Sequence, residues 1–137
     1  MVPSPGFALQ QACVAALKAN TSLRSLLGGE RIYDAPPARP PYPYVIVGPH
    51  TLRDFSSSES FGKEHVFTIT AYSRSAGLRE AYVLAEAVSA ALTTASLSLT
   101  GHHLVLFRFD TADIRREADA LTSRASITFR AISEPIS

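Results

Sequence analysis

The chain has 137 residues, enough for one domain to bury a core of its own. Hydrophobic residues make up 46% and charged residues 18%, which excludes general disorder, and a formal net charge of +1 argues against a surface dedicated to gripping nucleic acid. No apolar run approaches the roughly 20 residues that span a bilayer, and Met1 to Gly6 lacks the basic and apolar regions of a signal peptide, so an intracellular start without membrane attachment is the expectation.

The first element reads as a helix. Ser4 is placed to cap it and Pro5 suits the first helical position. Leu9, Cys13, Ala16 and Leu17 form one apolar stripe, and the helix should end near Asn20. Cys13, the single cysteine, excludes an internal disulfide and reads as a small buried hydrophobe. A short helical turn, Ser22 to Leu27, is closed by Gly28-Gly29. A brief extended piece follows at Arg31 to Tyr33.

Asp34 to Pro43 carries five prolines, which fix φ and remove donors. It is expected to be a stiff, extended surface segment, either a plain connector or an arm laid on a neighbouring subunit. Tyr44 to Val47 reads as a short buried strand ended by Gly48-Pro49. Thr51 to Glu64, with its run of serines, reads as a long projecting loop or splayed hairpin tip. His65 to Arg74 alternates, with Phe67, Ile69 and Ala71 on one side and Val66, Thr68, Thr70 and Tyr72 on the other, as in a half-buried strand. A long helix from about Gly77 to Thr94 has the stripe Leu78, Ala81, Ala85, Val88 and Leu92. A short strand is predicted at Leu97 to Leu99 and a long one at His102 to Ile114, with Val105, Phe107 and Phe109 on one face. A polar turn leads to a last strand, Ser123 to Ser133, that points Ala125, Ile127, Phe129 and Ala131 inward. The tail from Glu134 should fray.

The predicted class is α+β: a single mostly antiparallel sheet with two helices packed on one face and a long loop or hairpin extension, forming one domain over residues 1–137. The opposite sheet face is semi-polar and must meet solvent or a partner.

Motifs that carry chemistry are missing. The P-loop, dinucleotide-binding, nucleophile-elbow and common zinc patterns do not occur. His102-His103 is adjacent on a strand, so the two rings point to opposite faces and cannot chelate one metal together. His50 and His65 flank the serine-rich loop and could meet across a hairpin, although solvated loop bases are the simpler reading. Asp110, Asp113, Glu117 and Asp119 gather near a turn with Arg115 and Arg116, but the spacing fits no EF-hand and reads as a salt-bridged, solvated turn. No cofactor or metal is expected, and no acid, base and nucleophile assemble.

Taken in order, the segments "LQQACVAALKANTSLRSLLGG", "RIYDAPP", "PYPYVIVG", "TLRDFSSSESFGKEH", "VFTITAYSRSAGLREAYVLAEAVSAALT", "LSLTGHHLVLFRF" and "SRASITFRAISE" resemble the tail terminator (tail-completion) proteins of long-tailed phages and phage-derived gene transfer agents. The resemblance spans about residues 7 to 134 and rests on order and spacing rather than one motif. It implies a structural protein made in the bacterial cytoplasm and built into a particle at the tail–neck junction. There a homohexameric ring would cap the head-proximal end of the tail tube and meet the head–tail connector or stopper, with DNA passing through as cargo. On that reading Ala35, Pro36, Pro37, Arg39, Pro40, Pro41 and Tyr42 are assigned to the adjacent subunit. Arg53, Asp54, Phe55, Ser57, Glu59, Phe61 and Lys63 are assigned to the tube or the connector. The alternatives are another neck or tail-tube ring protein, a cytosolic module binding a small ligand, and an enzyme using His50 or His65.

Overall fold

The computed structural model describes residues 2–136. Met1, at the start of the leader reading, and Ser137, in the tail expected to fray, lie outside them. Helix α1 (Pro5–Ala19) begins where Ser4 Oγ accepts the Phe7 amide at 3.2 Å, which satisfies one of the free donors of the first turn. Its stripe of Leu9, Cys13 and Leu17 is fully buried, and burial pushes the Cys13 thiol up to about 12, so it remains an uncharged thiol. Asn20 ends α1 and caps α2 (Thr21–Leu27), its Oδ1 accepting from the Leu23 amide at 2.9 Å. Gly28 closes α2 in the left-handed region at φ 80°, where a side chain would be strained.

Five strands follow in one open sheet of order β1-β2-β3-β5-β4. They are β1 (Ile32–Tyr33), β2 (Tyr44–Asp54), β3 (Lys63–Ser73), β4 (His102–Arg116) and β5 (Ser123–Pro135), with α3 (Arg79–Thr93) between β3 and β4. β1 and β2 are parallel, and every other pairing is antiparallel. The chain is therefore α+β, as predicted, with three helices where two were expected: the turn before Gly28 is a helix in its own right. Val45 and Val47 of β2, Phe67, Ile69 and Ala71 of β3, and Ala125, Ile127, Phe129 and Ala131 of β5 form one apolar layer with the helix stripes. The alternation in β3 and β5 produces this directly, because every second side chain meets the helices. On α3 the buried face is Ala81, Leu84, Ala85, Val88, Ala91 and Leu92, wider than the predicted stripe.

Four expectations need correction. β2 does not stop at Gly48-Pro49: the pairing register with β3 shifts between Val47 and His50, and the strand continues to Asp54. A bulge accommodates the residues that cannot stay in the ladder. Leu97–Leu99 forms no strand, although Leu99 is buried. Register shifts between Leu104 and Leu106 and between Phe109 and Thr111 break the alternation in β4. Val105 therefore leaves the predicted apolar row and is 51% exposed, while Leu104 and Phe107 pack against the core. The tail does not fray at Glu134, because Glu134 and Pro135 pair with His103 and His102. Among the described residues, no helix is long and apolar enough to cross a membrane.

Candidate docking surfaces

The β2–β3 hairpin is mostly ladder. Arg53 pairs with Glu64 and Asp54 with Lys63, so only residues 55–62 form the connection. Of the two expected forms, a long loop or a splayed hairpin tip from Thr51, the chain takes the hairpin, and its arms stay paired to Asp54 and Lys63 instead of splaying. The Phe55 amide donates to Gly62 O and the Ser57 amide to Ser60 O, each at 2.9 Å, closing the tip in two steps. A Cβ on Gly62 would lie 2.8 Å from Phe55 O, so this crossing needs glycine.

A shared carboxylate braces the hairpin. Glu64 is buried on the outer sheet face and accepts from Arg53 Nε at 2.6 Å and from Arg130 Nε on β5. The Arg130 hydrogen bond, followed by that of Arg53, holds the Glu64 carboxyl below its usual range. The Phe55 ring lies 5.9 Å from the Arg130 guanidinium, and Ser60 Oγ donates to Glu134 Oε2 at 3.0 Å. Asp54 is held below the usual carboxylate range chiefly by the Ser56 hydroxyl. The hairpin is thus fixed to β5 at its base and presents two aromatic side chains, Phe55 at 47% and Phe61 at 77% exposure. The structure brings Arg53, Asp54, Phe55, Ser57, Glu59, Phe61 and Lys63 together at this one end.

The proline-rich segment is exposed from Asp34 to Arg39 and at Pro41, but it is not the stiff, extended piece predicted. Its backbone bends at Asp34-Ala35, at Ala38-Arg39 and at Tyr42-Pro43. The far end is tied to its own sheet. Arg31 Nη1 donates to Tyr42 O at 3.0 Å, and Arg74 lies 4.4 Å over the Tyr42 ring. Tyr42 also packs 5.0 Å from Tyr44, which stacks 5.1 Å from Tyr72. Burial, then the Tyr42 hydrogen bond, pushes the Tyr44 hydroxyl up to about 12. Ala35, Pro36, Pro37, Arg39 and Pro40 therefore form a loop held at its base.

His50 and His65 are not solvated loop bases. The register shift sets His50 opposite Phe67 on the helix side of the sheet, and His65 also faces inward, so the rings meet. His50 Nε2 lies 2.9 Å from His65 Nδ1, and His65 Nε2 lies 2.8 Å from Ser133 Oγ. His65 and Ser133 are fully buried. Burial, then the neighbouring His50 and His102, lowers the His65 pKa to about 4, and burial lowers that of His50. The chain of rings is a neutral internal network, and the buried serine at its end is closed to substrate. The bulge that aligns His50 left no mark in the sequence beyond Gly48-Pro49.

His102 Nε2 meets Pro3 O at 2.8 Å. Of the acidic residues near the last turn, Asp119 accepts from the Leu121 and Thr122 amides, each at 2.9 Å, while Glu117 pairs with Arg124 at 3.2 Å and Asp113 with Arg115. These contacts close a turn, and among the described residues no three metal-ligating side chains converge.

What the hairpin tip and the proline-rich loop share is exposure at an end and an edge of one sheet. Residues 11–134 match the family described as tail completion protein gp17. The chain is similar to one from the virion of a native gene transfer agent (GTA) particle, 37% identical over 93% of this chain and 96% of that one, with a TM-score of 0.86. It shares its fold with the bacteriophage SPP1 gp17 protein, 24% identical over 96% of this chain and 91% of that one, with a TM-score of 0.64. Comparison with curated proteins returns no match. With the family model covering most of its length, the chain belongs to the tail completion protein gp17 family.

Proposed function

We propose that this protein is a structural part of a phage-like or gene-transfer-agent particle that caps the head-proximal end of the tail tube, stops tube growth and joins the tail to the head connector or stopper. It acts as one domain, without catalysis, in a homohexameric ring at the tail–neck junction through which DNA passes as cargo. The observation that carries this reading is the similarity, at 37% identity over nearly the whole chain, to a chain of a GTA particle. The geometry suits it. A ring needs head-to-tail contacts between two different surfaces, and here the proline-rich loop lies at one sheet edge while the long strand β4 forms the other. Residues Ala35 to Tyr42 face the adjacent subunit. The braced tip around Phe55 and Phe61, with Arg53, Asp54, Ser57, Glu59 and Lys63, meets the tube or the connector.

The test is tail length, measured by electron microscopy in particles lacking this protein. Overlong tails unattached to filled heads are the expected result. Tails of normal length that only fail to attach would make it a neck stopper instead. Complete, normal particles would reject the reading.

A further inference from the structure

At the β4 edge the fold leaves a groove open between α3 and β4, with a volume of about 440 Å³. Tyr82 and Glu86, one helical turn apart, form the α3 wall, and Phe109, Ala112 and Ile114 form the β4 wall. Tyr82 is 56% and Phe109 44% exposed, so two aromatic faces are uncovered on opposite sides of the same groove. The bulge after Phe109 shifts β4 at this point. Glu86 is exposed and, among the described residues, makes no ion pair.

The opposite edge carries the matching chemistry. Arg39 sits at the bend of the loop between β1 and β2, exposed and likewise without an ion pair among the described residues. Pro36-Pro37 and Pro40-Pro41 flank it. Aromatic-lined grooves receive proline-rich segments because the rings offer flat apolar surface and the segment has little conformational freedom to lose. The groove wall from Tyr82 to Thr93 runs about 16 Å along α3 at the helical rise, and the loop, bent at Ala38-Arg39, is shorter than the about 15 Å of a fully extended Pro36–Pro41 and fits within it.

We propose that the α3–β4 groove of one copy receives the Pro36–Pro41 loop of the next copy, with the prolines against Tyr82 and Phe109 and Arg39 paired with Glu86. The inference rests on the ring reading above and names the surface that closes the ring. Groove and loop lie at opposite sheet edges, so the contact is head-to-tail and repeats from copy to copy.

The test is disulfide cross-linking inside assembled particles with Ala38→Cys and Ser89→Cys combined. A second pair, Arg39→Cys with Glu86→Cys, guards against one unfavourable geometry. Each single variant serves as control, and the buried Cys13 stays out of reach. The expected result is a ladder of covalent oligomers from the paired variants and none from the singles. Separately, Arg39→Glu or Glu86→Arg should each reduce incorporation into particles roughly tenfold by setting like charges together, and the double exchange should restore it. A visible ring of this protein without a ladder from either pair would overturn the inference and leave the ring reading intact. A ladder that stops at dimers, a cross-link to a different particle protein, or a double exchange that restores nothing would also overturn it. Particles that hold the protein without any ring would overturn both.

Discussion

Acidification should destabilise the folded chain through His65 before the carboxylates contribute. The ring is buried and neutral, with its pKa held at about 4 against 6.5 for the free side chain. Between those values the unfolded chain binds a proton that the folded chain refuses, so stability is fully present above pH 6.5 and falls as pH drops toward 4. Integrating that single group gives a loss of about 2 kcal/mol between pH 7 and pH 5, rising to roughly 3 kcal/mol below pH 4. His50, also lowered, adds in the same direction. Glu64, Asp54 and Asp119 are held below their ordinary values, so their contribution is lost at lower pH, as pH falls from the ordinary carboxylate range through each lowered folded value. The assay is urea unfolding at half-unit steps from pH 7.5 to pH 5, for the natural chain and for His65→Gln. The natural chain should lose stability along this series, and the variant should show a much flatter profile. A natural profile that is level to within about 0.5 kcal/mol, or an unchanged slope in the variant, would refute a buried neutral His65.

The core and the hairpin give sharper mutational tests. Leu92→Ala, at a position 1% exposed, should cost about 2–5 kcal/mol in urea unfolding, and a cost well under 1 kcal/mol would mean that α3 does not bury this face. Gly62→Ala drives a methyl group toward the Phe55 carbonyl and should lower stability by about 1–3 kcal/mol in thermal unfolding, whereas an unchanged midpoint would place the hairpin crossing elsewhere. Deleting Ser56 to Ser60 shortens an exposed tip and should change stability by less than about 1 kcal/mol while blocking the joining of heads to tails. Normal particles from that deletion would remove the tip from the docking role.

Local chemistry made much of the fold legible. Ser4 and Pro5 mark the start of α1, Gly28 the end of α2, and the alternation around Phe67 and Phe129 the buried face of the sheet. What stayed hidden depends on partners distant in sequence. Gly48-Pro49 reads as a stop because both residues disfavour a ladder, yet the pairing of Tyr44–Val47 and His50–Asp54 with β3 carries β2 past them. The two bulges in β4 shift its phase, so simple alternation placed Val105 in the core and missed Leu104. At the candidate site, the exposure of the proline-rich loop and the serine-rich tip could be read from composition. The pinning of Tyr42 by Arg31 and Arg74 could not, nor could the double pairing of Glu64, because each needs residues that approach only in three dimensions.

The strand order also governs when the chain can fold. The centre of the sheet is the β3–β5 ladder, running from Lys63 opposite Ser133 to Ser73 opposite Ser123, with α3 and β4 lying between in sequence. The hydrophobic inner face of β3 therefore has one finished neighbour, β2, until β5 has been synthesised. β4 cannot dock before that either, since its ladder is with β5. Such non-local pairing slows folding, because loop closure must be met before the contacts that reward it. Folding is thus a late event relative to synthesis, and nascent chains carrying Val66–Ala71 with one open edge are the species most exposed to mispairing with one another.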